Sequence, residues 1–231
     1  LGDVYKRQHI FARQEGMYGM NIVVAVKVVP DDQDIQVAAS GELDMSKAHQ
    51  TISAYDVNAI EAAAQLAASV GDSKVTVVTV GPAVIDDSKL KKNILARGAD
   101  ELVMVADDAC VDMDAYATAA ALASAIDGLD GWDVIVCGDG SADNYAQQVD
   151  VQLAYKLGVP VTTAAVEITP VDAGLCAKRR LEDVVETVEL PMPCVVSVLP
   201  DIALPRIPGM KDILAAGKKP MRVEGAPAAP E

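Results

Sequence analysis

Histidine is almost missing from this chain: His9 and His49 are the only two in 231 residues. A His-based catalytic triad or a multi-His metal site is therefore not expected, and no catalytic residue or metal ligand is assigned. Aromatic residues make up only 3%, with Phe11 and Trp132 as the single Phe and Trp. The shortage speaks against an aromatic platform for bases or flavin rings. The four cysteines (Cys110, Cys137, Cys176, Cys194) lie far apart and form no C-x-x-C. That excludes a zinc ribbon or a dithiol redox motif and leads to the expectation of buried, reduced thiols in a cytoplasmic protein. Basic residues are scarce: 19 Lys and Arg face 34 Asp and Glu, for a net charge of −15. Such an acidic chain is not expected to bind nucleic acid or an anionic membrane surface. Apolar runs long enough to cross a bilayer are absent too, so no membrane insertion is expected. What is present is a 51% hydrophobic, 23% charged chain, long enough to bury a sizeable core.

The first nineteen residues are polar and mixed, with Lys6, Arg7 and Arg13 and no apolar stretch of the kind a secretory signal needs. Residues 1–19 are expected to be a non-native leader outside the fold, the alternative being a short arm that docks on a partner. Periodic sequence begins at Asn21. Asn21–Val29 reads as a buried strand, closed by Pro30 and an Asp pair. Ile35–Val37 and Leu43–Asp44 flank a Ser40-Gly41 hairpin signal. Ser53 is placed to cap a helix, with Asp56 as a short substitute for the Glu of a capping box and Gly71 as the stop.

Lys74–Val80, Glu101–Ala106 and Asp133–Cys137 are further buried strands, and Ser88–Ala96, Asp112–Ile126 and Tyr145–Leu157 are helices between and after them. This alternation predicts an α/β fold, doubly wound around a mainly parallel sheet covered on both faces. Val161–Ile168, Leu175–Arg180 and Val184–Leu190 are shorter and strand-like, and Cys194–Leu199 could return to the sheet. After Pro200, five of the last 31 residues are Pro. That composition predicts an extended C-terminal arm, disordered unless it lies on something. The domain reading is a core over 20–200 with an appended segment over 201–231.

The most informative stretch follows the fourth long strand: GDGSADNYAQQ, Gly138 to Gln148. A Gly-rich turn running into a helix offers backbone N–H groups to phosphate. Gly138 and Gly140 lack Cβ atoms and so admit a ligand, Ser141 adds a hydroxyl, and Gln147 and Gln148 could reach a base or a ribose. The turn is neither G-x-G-x-x-G nor a P-loop, and an ordinary capped strand-to-helix turn is the plain alternative. The helix start at Ser53 and the strand end at Val80-Gly81-Pro82 are similar sites, and one nucleotide could touch all three if they share a sheet edge. The pairs Asp31-Asp32, Asp86-Asp87 and Asp107-Asp108 read as solvated loop carboxylates. Lys178-Arg179-Arg180 and Lys218-Lys219 either pair with acidic surface on this chain or grip a partner. Met210, after Pro208-Gly209, is a loop residue or an apolar anchor.

Four segments together resemble one family: NIVVAVKVVPDDQDI, ISAYDVNAIEAAAQL, VIVCGDGSADNYAQQVDVQLAYKLGVPV and LPRIPGMKDILAAGKKP. Their order and content are similar to the beta subunit of electron-transferring flavoproteins, in its Fix-type bacterial branch, from about Met20 to Lys219. The resemblance implies an adenine-nucleotide-binding Rossmann-like fold and a heterodimer with an electron transfer flavoprotein alpha subunit, FAD being held between the two. It implies AMP, or a second FAD, in the beta subunit itself, and no catalytic residues. The partner would be a flavin dehydrogenase such as an acyl-CoA dehydrogenase. By motif, nucleotide contacts fall on Ala25, on Ser53, Ala54, Tyr55 and Asp56, on Val80, and on Gly138, Asp139, Gly140, Ser141, Ala142, Asp143, Gln147, Gln148 and Val149. The partner-docking loop falls on Pro205–Ile213, with Pro205, Arg206 and Met210, the last where relatives usually carry Leu. Asp32 stands where several relatives carry an aromatic. The rival expectation is a stand-alone adenine-nucleotide sensor of the universal-stress type, which shares the sheet and a Gly-rich turn but needs no flavin.

Overall fold

The computed structural model describes residues 19–172 and 174–226; expectations for residues 1–18 and for the last five residues of the arm fall outside the described residues. Among the described residues thirteen strands and five α-helices follow one another. They are β1 (Asn21–Val26), β2 (Val28–Pro30), β3 (Gln36–Val37), β4 (Leu43–Asp44), β5 (Gln50–Ile52), α1 (Ala54–Val70), β6 (Lys74–Gly81), α2 (Ser88–Ala96) and β7 (Glu101–Ala106). Then come α3 (Ala115–Asp127), β8 (Val134–Gly138), α4 (Val149–Leu157), β9 (Val161–Val171), β10 (Gly174–Arg180), β11 (Val185–Pro191), β12 (Cys194–Val198), α5 (Met210–Ala216) and β13 (Met221–Glu224).

Nine strands form one sheet in the order β11-β10-β9-β12-β8-β1-β6-β7-β13. The seven from β9 to β13 are parallel, while β10 and β11 extend one end as an antiparallel ribbon. The central strands are apolar on both sides because both faces are covered. On one face Val24, Val26 and Val77 pack with Ile60, Ala63 and Leu66 of α1 and with Leu90 and Ile94 of α2. On the other, Val23, Val78 and Ile135 pack with Leu122 and Ile126 of α3 and with Leu153 and Ala154 of α4. The expected doubly wound α/β architecture is thus present. The hairpin expected around Ser40-Gly41 forms as β3 and β4, and Gly41 takes φ +87°, where an L side chain is strained.

Several boundaries move. The strand expected over Asn21–Val29 breaks at Lys27, and its second half pairs with β5 instead of the main sheet. The third helix starts at Ala115, because the Asp114 carboxylate accepts the Ala117 N–H at 2.8 Å and caps it there. The loop Asp pairs do more than meet solvent: Asp87 caps α2 through the Leu90 N–H, Asp107 accepts the N–H groups of Ala109 and Ala226, and Asp108 accepts that of Ala83.

The segment after Pro200 is anchored on the rest of the chain at several points along its described length. Ala216 is buried with the α2 side of the core. The Lys219 ammonium donates to the Leu95 and Ala99 carbonyls at 3.0 and 2.6 Å, neutralising the end of α2. β13 then adds a parallel edge strand to β7. The cations of β10 pair with this chain's own acids: Lys178 with Glu167, Arg179 with Glu186 and Arg180 with Asp201.

Candidate functional site

Strand order reverses beside β1. From β1 the chain steps outward through β6 to β7, then returns to lay β8 on the opposite flank. The helices after β1 and β8 therefore leave on opposite faces, α1 on one and α4 on the other. A crevice opens at the carboxyl ends of strands at such a reversal, which is where open α/β sheets take ligands. All three expected turns reach this edge: the start of α1, the end of β6 at Val80, and the Gly-rich turn after β8. Ala25 lies on β1 in register with Cys137 of β8, facing the α3 and α4 layer.

The turns are stitched together by long-range bonds. The Asp56 carboxylate accepts the Lys27 N–H at 2.7 Å and the Gly138 N–H at 3.0 Å, tying the ends of β1 and β8. Asp56 is buried, and burial pushes its carboxyl up to about 7, those two N–H donors and nearby Lys27 offsetting only part of the desolvation. The capping-box role expected for Asp56 is thus replaced by a bridge between strands. Ser53 occupies the N-cap position but makes no side-chain cap; its hydroxyl accepts the Ala142 N–H at 3.2 Å. Lys27 pairs with Asp143 at 2.6 Å. Burial pushes the Asp143 carboxyl up, but the bonds from Lys27 and Ser141 outweigh it and hold the group below its ordinary range. Ala54 is exposed in the first turn of α1.

The Gly-rich turn does not run straight into a helix. The helix expected from Tyr145 begins at Val149, with Gln148 at its N-cap. Tyr145 and Gln147 have left-handed backbones, with φ of +47° and +53°. The Tyr145 ring turns back over Gly140, where an added Cβ would stand 2.1 Å from the ring. Its hydroxyl donates to Asp139 at 2.6 Å, and that bond raises the phenol to about 12. The ring also meets Tyr55 at a centroid distance of 5.1 Å. The Cβ-free space at Gly138 is likewise filled from within, by Asp56 and Tyr55. At both glycines the space a side chain would take is thus occupied by the chain's own groups. The sequence also concealed an aromatic pair at the site, because the count of Phe and Trp passes over tyrosines 90 positions apart.

Two buried carboxylate oxygens at this edge, Oδ1 of Asp139 and Oδ1 of Asp150, have no protein partner. Buried acceptors want donors, and the hydroxyl and amino groups of a nucleoside are such donors. The Gln147 amide turns inward to Asp139 Oδ2 at 3.4 Å, while Gln148 pairs with Gln152. Among the described residues no cluster of His, Cys, Asp and Glu is placed to hold a metal ion. No helix of the described residues is long and apolar enough to cross a membrane.

A second feature lies on the flank of α1. The Arg206 guanidinium forks onto Glu61 of α1, with Nε at 2.7 Å and Nη2 at 3.1 Å. Around it, Leu204, Ile207, Met210 and Leu214 are 90, 94, 77 and 68% exposed. Pro205 and Arg206 thus sit at the base of an apolar loop, and Met210 opens α5 at its end. The loop expected over Pro205–Ile213 includes Ile207 and Met210, whereas Leu204 and Glu61 lie outside it; a lone Glu within the Ala-rich stretch of α1 was the available signal for the latter. A family model described as the electron transfer flavoprotein domain matches residues 41–229.

Proposed function

The chain belongs to the electron transfer flavoprotein family, and on that premise we propose that it is a beta subunit of the Fix-type branch, working as a heterodimer with an alpha subunit. The family carries electrons, and no acid, base or nucleophile is assigned to this chain. FAD held with the alpha subunit supplies the one- and two-electron chemistry. This chain's own residues bind and orient. The observation that carries the reading is the convergence of Ser53–Asp56, Val80 and the Gly138–Val149 turn at the β1–β8 reversal. There the chain binds AMP or a second FAD, with backbone N–H groups of the turn for phosphate and the open acceptors of Asp139 and Asp150 for nucleoside donors. The exposed loop from Leu204 to Leu214 docks a flavin dehydrogenase, an acyl-CoA dehydrogenase being the type case. Its apolar side chains suit a transient encounter, with Met210 as an adaptable anchor.

Co-expression with the alpha subunit tests this reading. The pair should purify yellow, whereas this chain alone should be colourless or weakly coloured. Nucleotide extraction then distinguishes one FAD plus AMP from two FAD. An ATP-loaded homodimer that ignores the alpha subunit would instead establish the stand-alone sensor. Met210→Asp should leave flavin content intact and slow electron transfer from the dehydrogenase.

A further inference from the structure

We propose that Glu61 is a positioning residue for partner docking: from the flank of α1 it clamps Arg206 and so holds Leu204 and Ile207 out in solvent, ready for the dehydrogenase. The proposal rests on the docking role assigned above to the loop. It adds a residue that touches neither partner nor nucleotide.

Glu61 is only 6% exposed, and a carboxylate so placed is costly unless its oxygens are filled. Four donors fill them. The Arg206 Nε and Nη2 arrive at 2.7 and 3.1 Å, the Arg206 backbone N–H at 3.2 Å, and the Gln65 amide at 3.0 Å. Burial pushes the Glu61 carboxyl up, but the bonds from Arg206 and Gln65 outweigh it, so the group stays ionised below its ordinary range.

The guanidinium is also seated from below. An added Cβ at Gly98 would stand 3.0 Å from Arg206 Nη1, and Gly98 itself has φ +112°, which favours glycine. Arg97 donates to the Arg206 carbonyl at 3.2 Å. One helical turn before Glu61, the Asn58 amide donates to the Pro200 and Ala203 carbonyls at 2.9 and 2.8 Å. The loop is therefore held by its backbone at Pro200, Ala203 and Arg206, and its two most exposed apolar side chains flank the last of these anchors.

That arrangement has a physical purpose. Exposed Leu and Ile gain by folding back onto any nearby apolar surface. A loop held outward has already lost the freedom that docking would otherwise cost. An ordinary stabilising ion pair would not need its cation at the root of two solvated apolar side chains.

The test uses the heterodimer with its alpha subunit and an acyl-CoA dehydrogenase, reduced by its acyl-CoA, as electron donor. Glu61→Gln keeps shape and removes the charge. It should raise the KM for the heterodimer about tenfold, with kcat within about twofold, as expected when a pre-organised contact is lost and the chemistry is untouched. Hydrogen exchange at the Leu204, Arg206 and Ile207 amides should quicken by about the same factor while β6 is unchanged. Arg206→Lys, on the more exposed side of the pair, keeps the charge but loses the fork, and should give smaller changes in the same direction. It also guards against misfolding of the first variant. If both variants leave KM and loop exchange unaltered while Met210→Asp still raises KM, the positioning role is wrong and the docking loop stands. If Met210→Asp leaves KM unaltered as well, the docking role falls and this proposal with it.

Discussion

Asp56 allows a pH experiment whose sign follows from geometry. Its carboxyl is raised from 3.8 to about 7 in the fold, chiefly by burial. A raised acid binds its proton more tightly folded than unfolded, so the stability it contributes is complete below about pH 4 and is lost as pH rises through 7. A shift of this size corresponds to about 4 kcal/mol, spread over the interval at about 1.4 kcal/mol per pH unit. Asp56→Asn removes the titration. Asn has one acceptor oxygen for the two N–H groups of Lys27 and Gly138, so one of them faces an amide NH2 at a cost of about 1–3 kcal/mol. The variant should therefore unfold more easily than wild type at pH 5, and the gap should close or reverse by pH 8. Urea midpoints at both pH values read the difference, in which other carboxylates such as Glu61 and Asp143 cancel because both proteins carry them. Parallel pH profiles for the two proteins would refute the assignment of a buried, proton-retaining Asp56.

Two other outcomes follow from the site and the core. Gly140→Ala puts a Cβ where the Tyr145 ring lies; the ring must swing off Asp139, so one phenol should return from about 12 toward its ordinary range in an alkaline ultraviolet titration. An unchanged titration curve would mean that the ring does not depend on that glycine. Of the four free thiols, Cys110, Cys137 and Cys194 are buried and burial pushes all three up, Cys194 to about 12, whereas Cys176 is half-buried. A colorimetric thiol reagent at pH 7.5 should modify one cysteine quickly in the native protein; rapid reaction of several would contradict the packing around β8 and β12.

The long strands could be read before the structure because the signal is local. Runs such as Ile22–Val26 and Val75–Val80 are rich in β-branched residues, and such runs become buried parallel strands wherever helices cover both faces. The site was legible in outline only. Asp56 looked like a helix cap because its neighbours in sequence suggest one, yet its partners lie 29 and 82 positions away. Residues 145–148 contain good helix formers, but Tyr145 and Gln147 are drawn into left-handed backbone by their bonds to Asp139, so tertiary contacts override propensity. Met221–Glu224 has almost no strand character of its own and becomes a strand because β7 offers it a free ladder.

That last strand bears on synthesis. The flank of the sheet at β7 is completed by residues that leave the ribosome more than a hundred positions later. Until they emerge, the outer edge of β7 has no ladder partner, and such a rim is the kind of surface that other unfinished chains can join. More than a hundred further residues must therefore be made after β7 before this rim is closed, and cellular yield should depend on what guards the chain during that interval.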